Sequence, residues 1–219
     1  FQQSALGALC NAKGRVISSF IVYLVKDDTY GLIMPKKTLE ITNNEFSKYT
    51  PFYEVVTEGN DSLLFNAMKK TDFLDQYAQD FTTRSNTIEI NGNKFINYLK
   101  KKYLLVISSY QGTEKIKASS EAELGISDWD LDEMLSLNFE ISETSSGLYT
   151  PHELSYDKNR VDFDKGCYTG QEIVARMHYR SKNLPGLSLT KTKDITINDR
   201  MVVVNEDSKK VAKILRVIN

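Results

Sequence analysis

Cysteine is scarce. Cys10 and Cys167 are the only two in 219 residues, too few and too far apart in sequence for a disulfide framework, and this usage fits a reducing compartment. Charge of one sign is also lacking: 28 basic residues against 29 acidic ones leave a net charge of -1. The chain as a whole therefore has no attraction for nucleic acid or an anionic membrane surface. No apolar run approaches the length of a membrane helix, so neither membrane spanning nor direct nucleic-acid binding is expected. Glycine-rich phosphate loops and hydrolase elbows are missing, which removes support for nucleotide hydrolysis and triad chemistry. The four residues best suited to ligate a soft metal, Cys10, His152, Cys167 and His178, show neither CxxC nor HExxH spacing, so no intrinsic metal centre is expected. No targeting segment is visible, although the chain opens at Phe1 without an initiator methionine. A cytoplasmic monomer is the expectation.

What is present describes a chain able to bury a large core, with 41% hydrophobic and 26% charged residues. Val16–Val25 and Tyr30–Met34, separated by a Lys26-Asp27-Asp28 turn, predict a hairpin that Pro35 ends. Thr42 or Asn43 is expected to cap a short helix through Tyr49, and Phe52–Thr57 to return as a strand. This strand, helix, strand order predicts an α+β fold. Leu64, Phe65 and Met68, then Phe73, Leu74, Tyr77 and Phe81, follow helical spacing, with Asp72 as the cap of a second helix. Ile88–Ile90 and Lys94–Leu99 flank Asn91-Gly92, a strong hairpin signal, and Tyr103–Ser109 reads as a buried strand. Lys100-Lys101-Lys102 reads as a solvated turn. Ser119–Leu124 is helix-like, and a further helix starting at Ser127 or Asp128 is expected to turn Trp129, Met134 and Leu135 inward. Trp129 has two readings, ordinary aromatic core and the wall of a cofactor pocket. Beyond Asn183-Leu184-Pro185-Gly186, short strand candidates at Leu187–Thr190, Ile195–Ile197, Met201–Val204 and Val211–Val217 predict a small β-rich C-terminal domain over residues 184–219. Residues 1–183 then form the main region, as two closely packed subdomains.

The densest chemistry lies in Asp164-Lys165-Gly166-Cys167-Tyr168-Thr169-Gly170-Gln171-Glu172-Ile173-Val174-Ala175-Arg176. Thr169 and Glu172 have capping-box spacing, predicting a helix from about Gly170 to Tyr179 with His178 at its end. A helix start beside Lys165 also suits an anion or the electron-rich edge of a ring. Cys167, near that helix start and Lys165, sits where a thiolate is favoured. A buried, inert cysteine and a purely structural cap are the competing readings.

The run KGCYTGQE, followed by IVAR, resembles the signature of the folate-binding family related to the glycine-cleavage aminomethyltransferases and known as the YgfZ-type proteins. Thr150-Pro151-His152-Glu153-Leu154-Ser155-Tyr156-Asp157 resembles the proline-containing segment ahead of that signature, and Cys10-Asn11-Ala12-Lys13-Gly14-Arg15-Val16-Ile17 resembles its early lysine-glycine strand. The resemblance implies an aminomethyltransferase-like fold ending in a barrel-like domain, here incomplete, and further residues ahead of the first matched strand. It implies a reduced folate, such as tetrahydrofolate, bound by Lys165, Gly166, Tyr168, Gly170, Gln171, Glu172 and Arg176 with Trp129 nearby, and a functional thiol at Cys167. The implied role is assistance to iron-sulfur cluster assembly or repair, including enzymes of tRNA modification, with those enzymes or assembly factors as partners. Ser18 and Ser19 occupy the positions where the enzyme relatives carry an acidic pair. A serine supplies no carboxylate base, so glycine-cleavage activity is not expected, while enzymatic activity of another kind stays open. The alternatives are a folate-dependent one-carbon transferase with another acceptor and a non-catalytic protein-binding scaffold.

Overall fold

The structure is a computed structural model, and it describes residues 4–82, 85–99, 101–109 and 126–218. The helix expected at Ser119–Leu124 lies outside these residues. The chain is of the α+β kind, with antiparallel sheets and separate helices. β1 (Ser4–Cys10), β2 (Val16–Lys26) and β3 (Thr29–Ile33) form the first sheet in that order. The β2–β3 hairpin is the predicted one, with Asp27 taking a positive φ of 38° in its turn.

The second sheet has the order β4-β7-β6-β5, built from β4 (Leu63–Lys69), β5 (Thr87–Ile90), β6 (Asn93–Ile96) and β7 (Tyr103–Ser109). Its central strand β7 is apolar on both faces because both are covered. Leu105 and Ile107 pack with Ile21 and Tyr23 of the first sheet, while Leu104 and Val106 pack with Phe73 and Phe95 on the opposite side. Phe73 comes from α2 (Lys70–Tyr77), which closes the second face. Burying a side chain of that size contributes roughly 1.5–3 kcal/mol.

Three expectations change here. Leu64, Phe65 and Met68 lie on β4 rather than a helix, because seven consecutive residues of β4 pair with β7, from Leu63 opposite Ser109 to Lys69 opposite Tyr103. The helix after the first sheet, α1 (Leu39–Phe46), begins ahead of Thr42, whose hydroxyl donates to the Thr38 carbonyl at 2.7 Å from inside the helix. Phe52–Thr57 forms no strand; a 3-10 turn at Thr50–Phe52 leads into exposed, irregular chain.

α3 (Ile126–Leu135) matches the predicted helix, with Trp129 packed inward as predicted but Leu135 turned outward. Asp132 and Glu133 are buried whereas Leu135 is 52% exposed. α4 (Gln171–Arg180) follows the turn-rich segment 139–170. The C-terminal part contributes one hairpin, β8 (Val202–Val204) with β9 (Lys210–Lys213). The strands predicted at Leu187–Thr190 and Ile195–Ile197 are chain without ladder partners among the described residues, and Ile195 is 89% exposed. Among the described residues no helix is long and apolar enough to cross a membrane.

Candidate functional site

The signature segment is seated on the turn between β1 and β2. Asn11 shapes that turn: its side-chain oxygen accepts from the Lys13 and Arg15 amides, each at 3.0 Å. Gly14, at φ +66°, and Gly170, at φ +83°, then meet backbone to backbone. The preceding segment is fastened to the same place. Arg15 donates to Glu153 at 3.1 Å and to the Leu148 carbonyl at 2.9 Å, while Glu153 accepts from the Thr150 amide at 2.7 Å. The three sequence anchors, far apart in the chain, thus form one structural unit.

The predicted capping box does not form. α4 has Gly170 at its N-cap with no side-chain cap bond. Thr169 instead donates to the Tyr49 hydroxyl at 3.2 Å, and the Gln171 side chain accepts from the Tyr168 amide at 3.4 Å. The cause is the left-handed backbone at Gly170, since a capping residue ordinarily adopts extended φ and ψ. Glu172 consequently keeps its carboxylate exposed in the first turn of α4.

Of the remaining signature residues, Gly166, Cys167 and Arg176 are exposed. The Lys165 ammonium lies 4.8 Å from the centre of the Tyr168 ring, whose hydroxyl is buried without a partner among the described residues. Burial raises the Tyr168 pKa, and nearby Cys10 adds to the rise. Cys10 itself is buried, and burial lifts its thiol from 9.0 to about 11 against the opposing pull of Lys165. The structure makes Cys10 the inert cysteine and Cys167 the accessible one.

Trp129 belongs to a different cluster. It packs against the core between the sheets, 4.5 Å from the Lys101 ammonium and 6.4 Å from the Tyr98 ring. Lys101 is not part of a solvated turn: its side chain is fully buried and ion-paired to Glu133. Glu133 also accepts from Tyr98 at 2.6 Å and from the Asn138 amide nitrogen. Asn138 accepts from Arg160 at 2.9 Å, and Arg160 donates onward to the Gly7 and Phe20 carbonyls at 2.9 and 2.8 Å. A continuous polar seam thereby links both sheets, α3 and the segment ahead of the signature. Burial pushes the Lys101 ammonium from 10.5 down to about 7, with Asp132 and Glu140 pulling against it and Arg160 adding to the depression. The lysine triplet's position between strands offered no signal for this burial.

Ser18 and Ser19 are both fully buried on β2. Ser19 accepts from the Ile141 amide at 2.9 Å, while the Ser18 hydroxyl has no partner among the described residues. A third cluster joins His152 and His178, with ring centres 5.9 Å apart, to Asp157. Spacing in the sequence gives no sign that Asp157 joins the two histidines.

No protein-family model matches the chain. It is similar to proteins named "tRNA-modifying protein YgfZ": that of Vibrio atlanticus is 30% identical over 184 residues, covering 83% of this chain and 56% of the relative. That of Aliivibrio fischeri is 31% identical over 184 residues, covering 81% and 56%, and that of Colwellia psychrerythraea is 27% identical over 186 residues, covering 81% and 57%. The chain spans about half the length of the curated relatives it matches. The signature, its proline-containing lead and the lysine-glycine turn are gathered into one unit, and the likeness to the YgfZ-type proteins extends over most of the residues of this chain.

Proposed function

We propose that this chain is the reduced-folate-binding part of an accessory protein that serves iron-sulfur cluster assembly or repair, with enzymes of tRNA modification among its clients. The observation that carries the reading is the free carboxylate of Glu172 in the uncapped first turn of α4. A pterin presents neighbouring N–H groups along one edge, which a carboxylate accepts in pairs, and the anionic tail of a folate suits the Lys165 or Arg176 side chain. Lys165 over the Tyr168 ring adds a cation and an aromatic face at the same end of the helix. Cys167, exposed on the same segment, is the thiol available for redox or one-carbon handling. The relatives' name, tRNA-modifying protein, supports the client class. Ser18 and Ser19 carry no carboxylate, which favours binding without glycine-cleavage turnover.

Calorimetric titration with tetrahydrofolate tests the reading, run on this chain and on Glu172→Gln and Cys167→Ala. Saturable binding that weakens in Glu172→Gln and survives in Cys167→Ala supports it. Equal binding by the folded Glu172→Gln protein rejects Glu172 as the pterin partner, and no binding by any folded form rejects the folate assignment. Transfer of a one-carbon unit to an added acceptor amine, measured in the same samples, would instead favour a transferase.

A further inference from the structure

Two histidines separated by twenty-five residues of irregular chain and helix converge with an aspartate. His152 follows Pro151 in the lead segment, Asp157 lies in the 3-10 turn Tyr156–Lys158, and His178 occupies the last turn of α4. One ligand atom from each lies within 4.8 Å of the other two. The three residues line a cavity of about 240 Å³, whose far wall is formed by Leu184, Pro185 and Gly186. That wall is tied down by a hydrogen bond from the Leu187 amide to the Ser155 hydroxyl at 2.9 Å.

An independent feature points to a ligand. His152 is only 4% exposed, and neither of its ring nitrogens has a hydrogen-bond partner among the described residues. A neutral imidazole always carries one N–H and one lone pair, and buried polar atoms of this kind are ordinarily satisfied. Phe163 stacks on the His178 ring at 3.8 Å between centres.

We propose that His152, Asp157 and His178 form a binding site for one divalent transition-metal ion of the zinc class, with a fourth position open to the cavity. Two imidazoles and a carboxylate are borderline ligands, suited to zinc and its first-row neighbours rather than to magnesium or calcium, which prefer oxygen alone. Bonds of about 2.0–2.1 Å in a tetrahedron place ligand atoms roughly 3.4 Å apart. The site must therefore tighten from its present spacing. His178 is exposed and can supply that movement, whereas His152 is held in the interior. Lys158, also on the cavity wall, is placed to pair with an anionic fourth ligand.

The test uses tag-free chain carrying Cys167→Ser, so that an exposed thiolate cannot account for the signal. Zinc is titrated by calorimetry, cobalt by its visible absorption, and magnesium serves as the hard-cation control. One zinc per chain, a tetrahedral cobalt spectrum without thiolate charge-transfer absorption, and no response to magnesium are expected. Loss of an outer-shell partner costs roughly 10–100-fold in metal affinity, so removing a ligand in His178→Ala or Asp157→Asn is expected to weaken zinc by more than about 100-fold. Because His178 is exposed and Asp157→Asn is nearly isosteric, both variants keep the fold, which circular dichroism checks. Absence of saturable zinc binding, or unchanged affinity in the two folded variants, overturns the proposal.

Discussion

The α-carbon of Gly14 occupies the space that a side chain on Gly170 would need. A Cβ placed on Gly170 would sit 3.0 Å from that carbon and 2.4 Å from the Asn11 carbonyl oxygen. Both obstacles are backbone, so neither yields by rotating. This contact sets how closely the start of α4 approaches the β1–β2 turn, and with it the position of Lys165, Tyr168 and Glu172.

Gly170→Ala is therefore expected to destabilise the chain by more than its dihedral alone costs. An alanine at φ +83° costs about 1–2 kcal/mol, and displacement of the helix start adds to that. Gly92→Ala is the matched comparison, because Gly92 also has a positive φ, +74°, but opens onto empty space. In urea unfolding, the midpoint should fall further for Gly170→Ala than for Gly92→Ala. Equal shifts would show that the Gly14 contact carries no energy of its own.

The buried seam gives a second expectation. Lys101→Met removes the cation but leaves Glu133 buried with Tyr98 and Asn138 as its remaining partners. Breaking one side of a buried pair typically costs about 3–5 kcal/mol, mostly through the charge left behind. The double change Lys101→Met with Glu133→Leu removes that stranded charge and should recover part of the loss. If the two single changes and the double change were additive, measured by chemical denaturation, the pair would be energetically uncoupled.

Arg160 is a sharper case, because its fork geometry is in use as well as its charge. One terminal nitrogen serves two backbone carbonyls on adjacent strands while the other serves Asn138. A lysine has one nitrogen and cannot span this arrangement. Arg160→Lys is expected to cost roughly 2–3 kcal/mol through carbonyls left unpaired in the interior. A thermal midpoint matching the parent would mean that the seam tolerates a point charge in place of the fork.

These residues also mark how far the sequence could be read. The hairpins at β2–β3 and β5–β6 were legible because Asp27-Asp28 and Asn91-Gly92 are local turn signals, and β7 because of its apolar run from Tyr103 to Ile107. β4 was not, since Leu64, Phe65 and Met68 fit a helix as well as a strand and only the β7 edge decides between them. α3 was legible as a helix with Trp129 inward, but the burial of Glu133 was not, because its partners Lys101 and Tyr98 come from a distant segment. At the candidate site, KGCYTGQE was conspicuous and its seat on the Lys13-Gly14 turn was not. The supposed cap failed for a reason invisible in spacing, namely the positive φ of Gly170 at the helix start. The grouping of Asp157 with His152 and His178 was not legible because it exists only in space.

The two cysteines should separate chemically. At mildly alkaline pH an alkylating reagent is expected to label Cys167 in the folded chain and to reach Cys10 only after unfolding, since Cys10 is buried with its pKa lifted to about 11. The same lift has a thermodynamic consequence. Between pH 9 and about 11 the unfolded chain releases the Cys10 proton while the folded chain keeps it, so the unfolded state binds fewer protons and stability falls as pH rises through that window. Cys10→Ala removes the effect, and its stability should decline less steeply than the parent's over the same range. The comparison must be made as a slope, because the substitution also leaves a small cavity that lowers stability at every pH. Mass spectrometry of labelled peptides checks the first expectation and denaturant midpoints across the window check the second. Rapid labelling of Cys10 in the folded chain, with parallel pH profiles for parent and variant, would overturn the assignment of Cys10 as the buried, inert thiol.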